Sequence, residues 1–231
     1  MPESKTALVT GGNRGIGFEI CRQLAEKGFK VFLTARNKEA AKKALEKLAA
    51  QNLIVNFVPL DVTNYKSVQY AVELFKEQSS NLDVLINNAA ILRDKTNIFN
   101  MPENLLSETL QTNVIGAFWV TQAFGQLMKK GGRIINISSD AGQLSRESTY
   151  SPAYSISKTA LNAVTKQFAS ALSPKGIAVN SVHPGWIKTD MGGSSAPSPI
   201  EKGAETTLWL ATEVPIDVTS KFFYNKKEFA W

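Results

Sequence analysis

One cysteine and one histidine are all that this 231-residue chain holds of the two residue types that most often build staples and metal sites. Cys21 alone cannot close an intramolecular disulfide, and His183 leaves no cluster with metal-ligand spacing, so no metal site is expected. Cysteine used this sparingly fits a reducing, cytoplasmic setting. Long apolar runs are missing too: nothing approaches the roughly eighteen residues of a membrane span. The opening Met1-Pro2-Glu3-Ser4-Lys5 enters a strand with no basic stretch followed by an apolar one, so neither export nor a membrane partner is expected. A formal charge of +6 raises nucleic-acid binding as a possibility, but the cations are scattered rather than striped among aromatics, which argues against it. One concentration stands out, since Arg14, Arg36, Lys38, Lys42 and Lys43 all fall near the first strand-turn-helix units and could face a phosphate.

What is present is a regular alternation. Short β-branched runs at Thr6–Thr10, Lys30–Thr34, Val55–Pro59, Asp83–Asn87, Arg133–Ser138, Ala178–Val182 and Lys221–Tyr224 are separated mostly by helical patterns. Repeated βαβ units of this kind predict an α/β fold, a three-layer doubly wound parallel sheet of about seven strands forming one domain over 1–231. Its strands, covered on both faces, should read as nearly continuous Val, Ile and Leu, and they do. Cys21 falls on the apolar face of the first helix with Ile16, Ile20, Leu24 and Ala25, which predicts an inert core thiol. Pro102–Lys129 reads as one long helix with an irregularity at Gly116. Ser151-Pro152 supplies an N-cap and a first-turn proline for a helix to about Leu172. Met191–Pro199, rich in Gly, Ser and Pro, follows a strand at the ligand-binding edge of such a sheet; it reads as a substrate lid over 191–199, with an ordinary surface loop as the alternative.

Two motifs bear on chemistry. Thr10-Gly11-Gly12-Asn13-Arg14-Gly15-Ile16-Gly17 lies between the first strand and the first helix, where glycines permit a tight turn and the helix N–H groups attract a dinucleotide pyrophosphate. The spacing is G-x-x-x-G-x-G rather than the commoner G-x-G-x-x-G. Tyr154 and Lys158 lie four apart on one helical face, where an ammonium can stabilise a phenolate and make the phenol a usable acid or base near neutral pH. Tyr150 is a decoy, because its fourth successor is Tyr154 and not a lysine. His183 reads as a packed or surface residue.

With these motifs go "LDVTN" (Asp61), "NNAA" at 87–90, "LQTNVIGAF" (Asn113), "IINISSDAG" (Ser139), "YSISK" (Tyr154, Lys158) and "HPGWIKTDM" (Pro184, Gly185, Thr189), all in order. On these the chain resembles the short-chain dehydrogenase/reductase family along nearly its whole length. The resemblance implies a Rossmann-type fold and a catalytic set of Asn113, Ser139, Tyr154 and Lys158. Tyr154 would be the general acid/base, Lys158 would depress its pKa and bond the nicotinamide ribose, and Ser139 would hold the carbonyl oxygen. Asn113 would anchor a water linking Lys158 to solvent, unless it only satisfies a kinked backbone near Gly116. Ser138 and Ser139 point to opposite strand faces, and the resemblance selects Ser139. The implied cofactor contacts are Gly11, Asn13, Arg14, Gly15, Ile16 and Gly17 in the turn; Arg36, Asp61 and Val62; Asn88 and Ala89; Tyr154 and Lys158; and Pro184, Gly185, Ile187 and Thr189.

Arg36, where an NAD-specific protein would carry an acid, and Arg14 argue for NADP(H). Within the family the chain is most similar to carbonyl reductases, through "LTARN", "GAETTLWLA" and its aromatic ending. Vertebrate members carry an insertion ahead of the catalytic tyrosine that covers the helix faces used for pairing. Here only fourteen residues separate Ser139 from Tyr154. Helices 102–129 and 151–172 are thus left free for a homodimer or homotetramer. Ala90 replaces a usual glycine, which puts cofactor affinity in question. Ile91, Leu92, Tyr150, Trp186 and Met191 would form an apolar wall suited to a hydrophobic ketone, aldehyde or quinone. Two alternatives stay open: a 3-oxoacyl carrier-protein reductase, and a non-catalytic NADP-binding sensor that keeps the fold alone.

Overall fold

Strands and helices alternate from the N-terminus: β1 (Thr6–Val9), α1 (Gly15–Glu26), β2 (Lys30–Ala35), α2 (Lys38–Ala49), β3 (Val55–Pro59), α3 (Tyr65–Lys76) and β4 (Leu82–Asn87). The second half follows with α4 (Leu105–Leu110), α5 (Ala117–Phe124), β5 (Met128–Ile137), α6 (Pro152–Leu172), β6 (Ala178–His183), α7 (Ile200–Thr212), β7 (Phe222–Tyr224) and β8 (Lys227–Phe229). This computed structural model describes residues 4–93, 97–145 and 151–231; Tyr150 falls outside the described residues. All eight strands join one sheet in the order β3-β2-β1-β4-β5-β6-β7-β8, every pair parallel except β7 with β8.

Alternation along the strands feeds two cores. Val9, Leu33 and Ile86 pack with Leu24 of α1 and Leu208 of α7, while Leu8, Phe32 and Leu85 pack on the other face with Phe75 of α3 and Phe124 of α5. Cys21 is fully buried in the first of these, and burial pushes its thiol pKa up, as an inert core thiol requires. The order reverses between β1 and β4, so their carboxyl ends open the crevice where doubly wound sheets take ligands.

Three expectations need correction. The stretch 102–129 is not one helix: α4 gives way to a π-helical turn at Gln111–Gly116, then α5, then a 3-10 turn ending at Leu127. Gly116 packs its Cα against Val62, where an added Cβ would sit 2.9 Å from the valine side chain, and that close approach accounts for glycine there. Met128 already belongs to β5, buried and paired with Leu82, before a Gly131 turn at φ +93 restores register at Arg133. At the start of α6, Pro152 occupies the first turn, but Ser151 is left-handed at φ +59 and its side chain makes no capping bond. Finally, the described residues hold an eighth strand beyond the seven expected. Asn225 and Lys226, both at positive φ, turn the chain into β8, which pairs antiparallel with β7.

Candidate active site

The Gly-rich turn is clamped to the segment after β4. Thr10 Oγ1 accepts the N–H groups of Asn88 and Ala89 at 2.9 and 3.0 Å, and the Asn88 carboxamide donates to the Thr10 and Gly11 carbonyls. Gly17 sits beneath this clamp, where a Cβ would lie 2.5 Å from the Gly11 carbonyl oxygen and closer still to Asn88 Nδ2. Gly11 itself holds φ +63, open to glycine at little cost. At the neighbouring helices Asn37 caps α2 and Asn64 caps α3 through side-chain oxygens. α1 has neither a side-chain cap nor an acidic residue in its first turn, so its leading N–H groups are left for an anion.

A cleft of about 410 Å³ opens over this turn. Gly11, Asn13, Arg14, Gly15 and Ile16 form its floor, Arg36, Asp61 and Val62 one end, Asn88 and Ala89 the middle, and Tyr154, Lys158, Pro184 and Thr189 the other end. Gly17, Gly185 and Ile187 stand behind this surface; Ile187 is buried beside Gly203. Asp61 uses Oδ1 to hold Thr63 N–H and Oγ1, shaping the turn after β3. Arg14 reaches across the mouth to pair with Asp190 at 2.7 Å, an exposed contact that adds little stability and yields readily to another anion.

At the far end, Lys158 is buried, its Nζ donating to the Ile137 carbonyl at 2.7 Å and lying 5.3 Å from the centre of the Tyr154 ring. Burial lowers its pKa from the ordinary lysine value to about 7. Asn113 does not line the cleft. Its Oδ1 accepts Ile91 N–H at 2.8 Å, while Nδ2 donates to Ile91 O and Ser157 Oγ. The carboxamide thus staples the segment after β4 to the π turn and α6. Ser138 contributes backbone to the wall, with its hydroxyl turned away to Asn162 Oδ1 at 2.7 Å. Ser139 is half-buried just outside the wall and donates to Asp140 Oδ1 at 2.9 Å.

Ile91 and Met191 reach the cleft, whereas Trp186 is 57% exposed and donates its indole N–H to the Gly192 carbonyl. Sequence reasoning missed Asp140, the Ile137 carbonyl, and Thr112 of the π turn, which lines the cleft. Asp140 adjoins Ser139 and could have been weighed, but a backbone carbonyl leaves no side-chain signal. The 191–199 segment is more ordered than its composition implies: the Lys188 N–H donates to the Ser198 carbonyl, the Ser198 N–H donates to the Trp186 carbonyl, and Ala196 is buried. Among the described residues no helix is long and apolar enough to cross a membrane, and no three His, Cys, Asp or Glu side chains gather as metal ligands would.

A dinucleotide-type cleft on a doubly wound sheet, with a Tyr and a buried Lys one helical turn apart at its end, defines an oxidoreductase class. Residues 5–199 match the family described as short chain dehydrogenase, and the chain belongs to that family. It is 29% identical to carbonyl reductase (NADPH) 1 of Sus scrofa, covering 99% of this chain and 94% of that protein. That alignment runs over 280 positions, more than this chain has residues, so the relative carries insertions absent here. The 3-oxoacyl acyl-carrier-protein reductase FabG of Vibrio cholerae is 35% identical over 191 residues, 82% of this chain and 76% of that one. Among solved structures, the NADPH-bound carbonyl reductase from chicken fatty liver superposes with a TM-score of 0.89 at 31% identity, covering 99% of this chain and all of that one.

Proposed function

We propose that the chain is an NADPH-dependent carbonyl reductase acting on small hydrophobic ketones, aldehydes or quinones. The observation that carries this is Lys158, buried with its ammonium over the Tyr154 ring at one end of a cleft whose floor is an uncapped helix start. NADP(H) fits this floor. The glycines let backbone approach a pyrophosphate, and Arg36 with Asn37 follow β2, where an adenosine 2′-phosphate would sit. Lys158, Tyr154, Asn88, Pro184 and Thr189 would hold the nicotinamide half, while Asp61 and Val62 would meet the adenine. When bound, the reduced cofactor supplies hydride to the carbonyl carbon.

This chain's residues then manage the proton. Tyr154 donates its phenolic proton to the carbonyl oxygen as negative charge develops there, and the cationic form of Lys158 stabilises the phenolate left behind. Ser139 holds the same oxygen by releasing its hydrogen from Asp140. Asn113 keeps Ile91 and α6 in register, and since its carboxamide hydrogens are committed, a water linking Lys158 outward would be held by its main chain. Ile91, and Met191 at the start of the 191–199 segment, give the substrate side an apolar surface. Near-complete coverage by carbonyl reductases favours a free carbonyl substrate. The higher identity to the Vibrio cholerae reductase supports a 3-oxoacyl thioester as a second reading.

Tyr154→Phe tests the proposal against a panel of quinones, aldehydes, aryl ketones and 3-oxoacyl thioesters. Turnover should fall by about 100-fold or more, as loss of a general acid does, while NADPH fluorescence still reports binding. Unchanged turnover refutes it; tight NADPH binding with no wild-type turnover on any substrate favours a sensor.

A further inference from the structure

The chain's one histidine has no part in the proton path above, yet it lies within reach of it. His183 ends β6, 9% exposed, with its ring against Tyr224 (centroids 4.7 Å apart) and Phe229 (6.1 Å) of the C-terminal hairpin. A phenylalanine would satisfy that packing. The two nitrogens, however, both point at elements of the site. Nδ1 accepts the Gly185 N–H at 3.4 Å, which puts the ring proton of the neutral imidazole on Nε2. Nε2 faces Asp140 Oδ1 at 3.9 Å. That same carboxylate oxygen accepts the Ser139 hydroxyl at 2.9 Å and the Ala141 N–H at 3.0 Å.

A row of polar groups thus runs from the Pro184–Gly185 turn, through imidazole and carboxylate, to the serine hydroxyl, hydrogen-bonded at both ends and open by one gap between imidazole and carboxylate. We propose that His183 and Asp140 are positioning residues that set the Ser139 hydroxyl relative to the Pro184–Gly185 turn, an inference that rests on the roles proposed for Ser139 and that turn. The serine must aim at an oxygen placed by a cofactor that Pro184 would help to hold, and these two side chains add a side-chain link to the backbone pairing of β5 with β6 that already joins the two segments. At 3.9 Å the imidazole and carboxylate are about 1 Å beyond hydrogen-bond distance, a gap of the kind that closes when a site fills. A misplaced serine would cost rate and leave cofactor affinity alone, because neither side chain lines the cofactor cleft.

The test uses the full chain with NADPH. His183→Phe keeps the stacked ring and removes both nitrogens, whereas His183→Gln restores an N–H donor. The Phe variant should lose about tenfold or more in kcat, with the NADPH Kd from fluorescence within about twofold of wild type, and the Gln variant should recover most of the loss. Asp140→Ala should cost a similar factor, and combining it with His183→Phe should add little to the larger single effect. Nitrogen NMR of the lone imidazole should show the proton on Nε2. The proposal is overturned by a fully active Phe variant, by Gln losing as much as Phe, by multiplicative losses in the double variant, or by an Nδ1–H tautomer. Should His183→Phe fail to fold, Asp140→Asn active beside an impaired Asp140→Ala supports the coupling, and equal activity of the two overturns it. Ser139→Ala separates the layers: if it stays active the serine's proposed role fails, and if it is inactive beside a fully active His183→Phe only the positioning claim fails.

Discussion

Replacing Lys158 by methionine should remove a pH dependence of stability that the native fold imposes. Lys158 is 2% exposed, and burial lowers its pKa from 10.5 to about 7. Between those values the unfolded chain holds a proton that the folded chain has given up, so stability rises with pH across the window and the penalty of the buried cation is greatest below about pH 7. The full difference corresponds to about 5 kcal/mol, a little over 1 kcal/mol for each pH unit. Urea denaturation of nucleotide-free wild type and Lys158→Met, at pH 6 to 10, isolates the contribution because the other titrating groups are shared. Wild type should gain on the variant steadily from about pH 7 upward and show no gain below it. A difference that stays flat, or falls, from pH 7 to 10 refutes the claim that burial depresses this lysine. The same titration bears on turnover: Lys158 is the cation beside Tyr154, so kcat/KM should change near pH 7 in the wild type.

Arg36→Asp should swing the ratio of kcat/KM with NADPH to that with NADH toward NADH by about tenfold or more, since an acid repels a 2′-phosphate and accepts a hydroxyl; an unchanged ratio refutes the assignment. Glu19 is buried on α1, which raises its pKa, but bonds from Arg22 and Gln23 together with the Arg22 charge outweigh that and leave it lowered. Its contribution is therefore full at neutral pH and lost as acid takes the solution down through the lowered value. Arg22→Ala should cost about 2 kcal/mol at pH 7 in urea melts and progressively less as acid protonates Glu19, and a cost that does not change with Glu19 protonation overturns the account. Ile115, Phe118 and Ile156 are exposed on the π turn, α5 and α6, with Phe118 against Phe168, a surface that supports the proposed pairing of subunits. Sedimentation should give at least twice the 25.2 kDa chain mass, falling to one chain in Phe118→Asp; a wild-type monomer at micromolar concentration rules the assembly out.

Local physics made much of this legible beforehand. Seven of the strand positions follow from β-branched runs between turn residues, and the phosphate-type turn follows from glycines that only a strand-to-helix corner requires. Tyr154 and Lys158 could be paired because four residues of helix fix their side. The hairpin of β7 and β8 escaped because Asn225-Lys226 places a lysine at positive φ, where Gly would have announced the turn. The break in 102–129 escaped because periodicity cannot tell α from π winding, and Met128 is as good a helix former as it is a buried strand residue.

By itself, then, the amino-acid order settled which segments alternate, which glycines bend the chain over a phosphate-sized space, and which phenol and amine share a helical face, since each of these depends on neighbours within a few residues. Only the folded chain decided that Asn113 spends its carboxamide on Ile91 and Ser157, that Arg14 meets Asp190, and that His183 turns its nitrogens toward Gly185 and Asp140. Those meetings come from strands and helices stacked across the sheet, and the distances between residues far apart in sequence exist only once the sheet has formed.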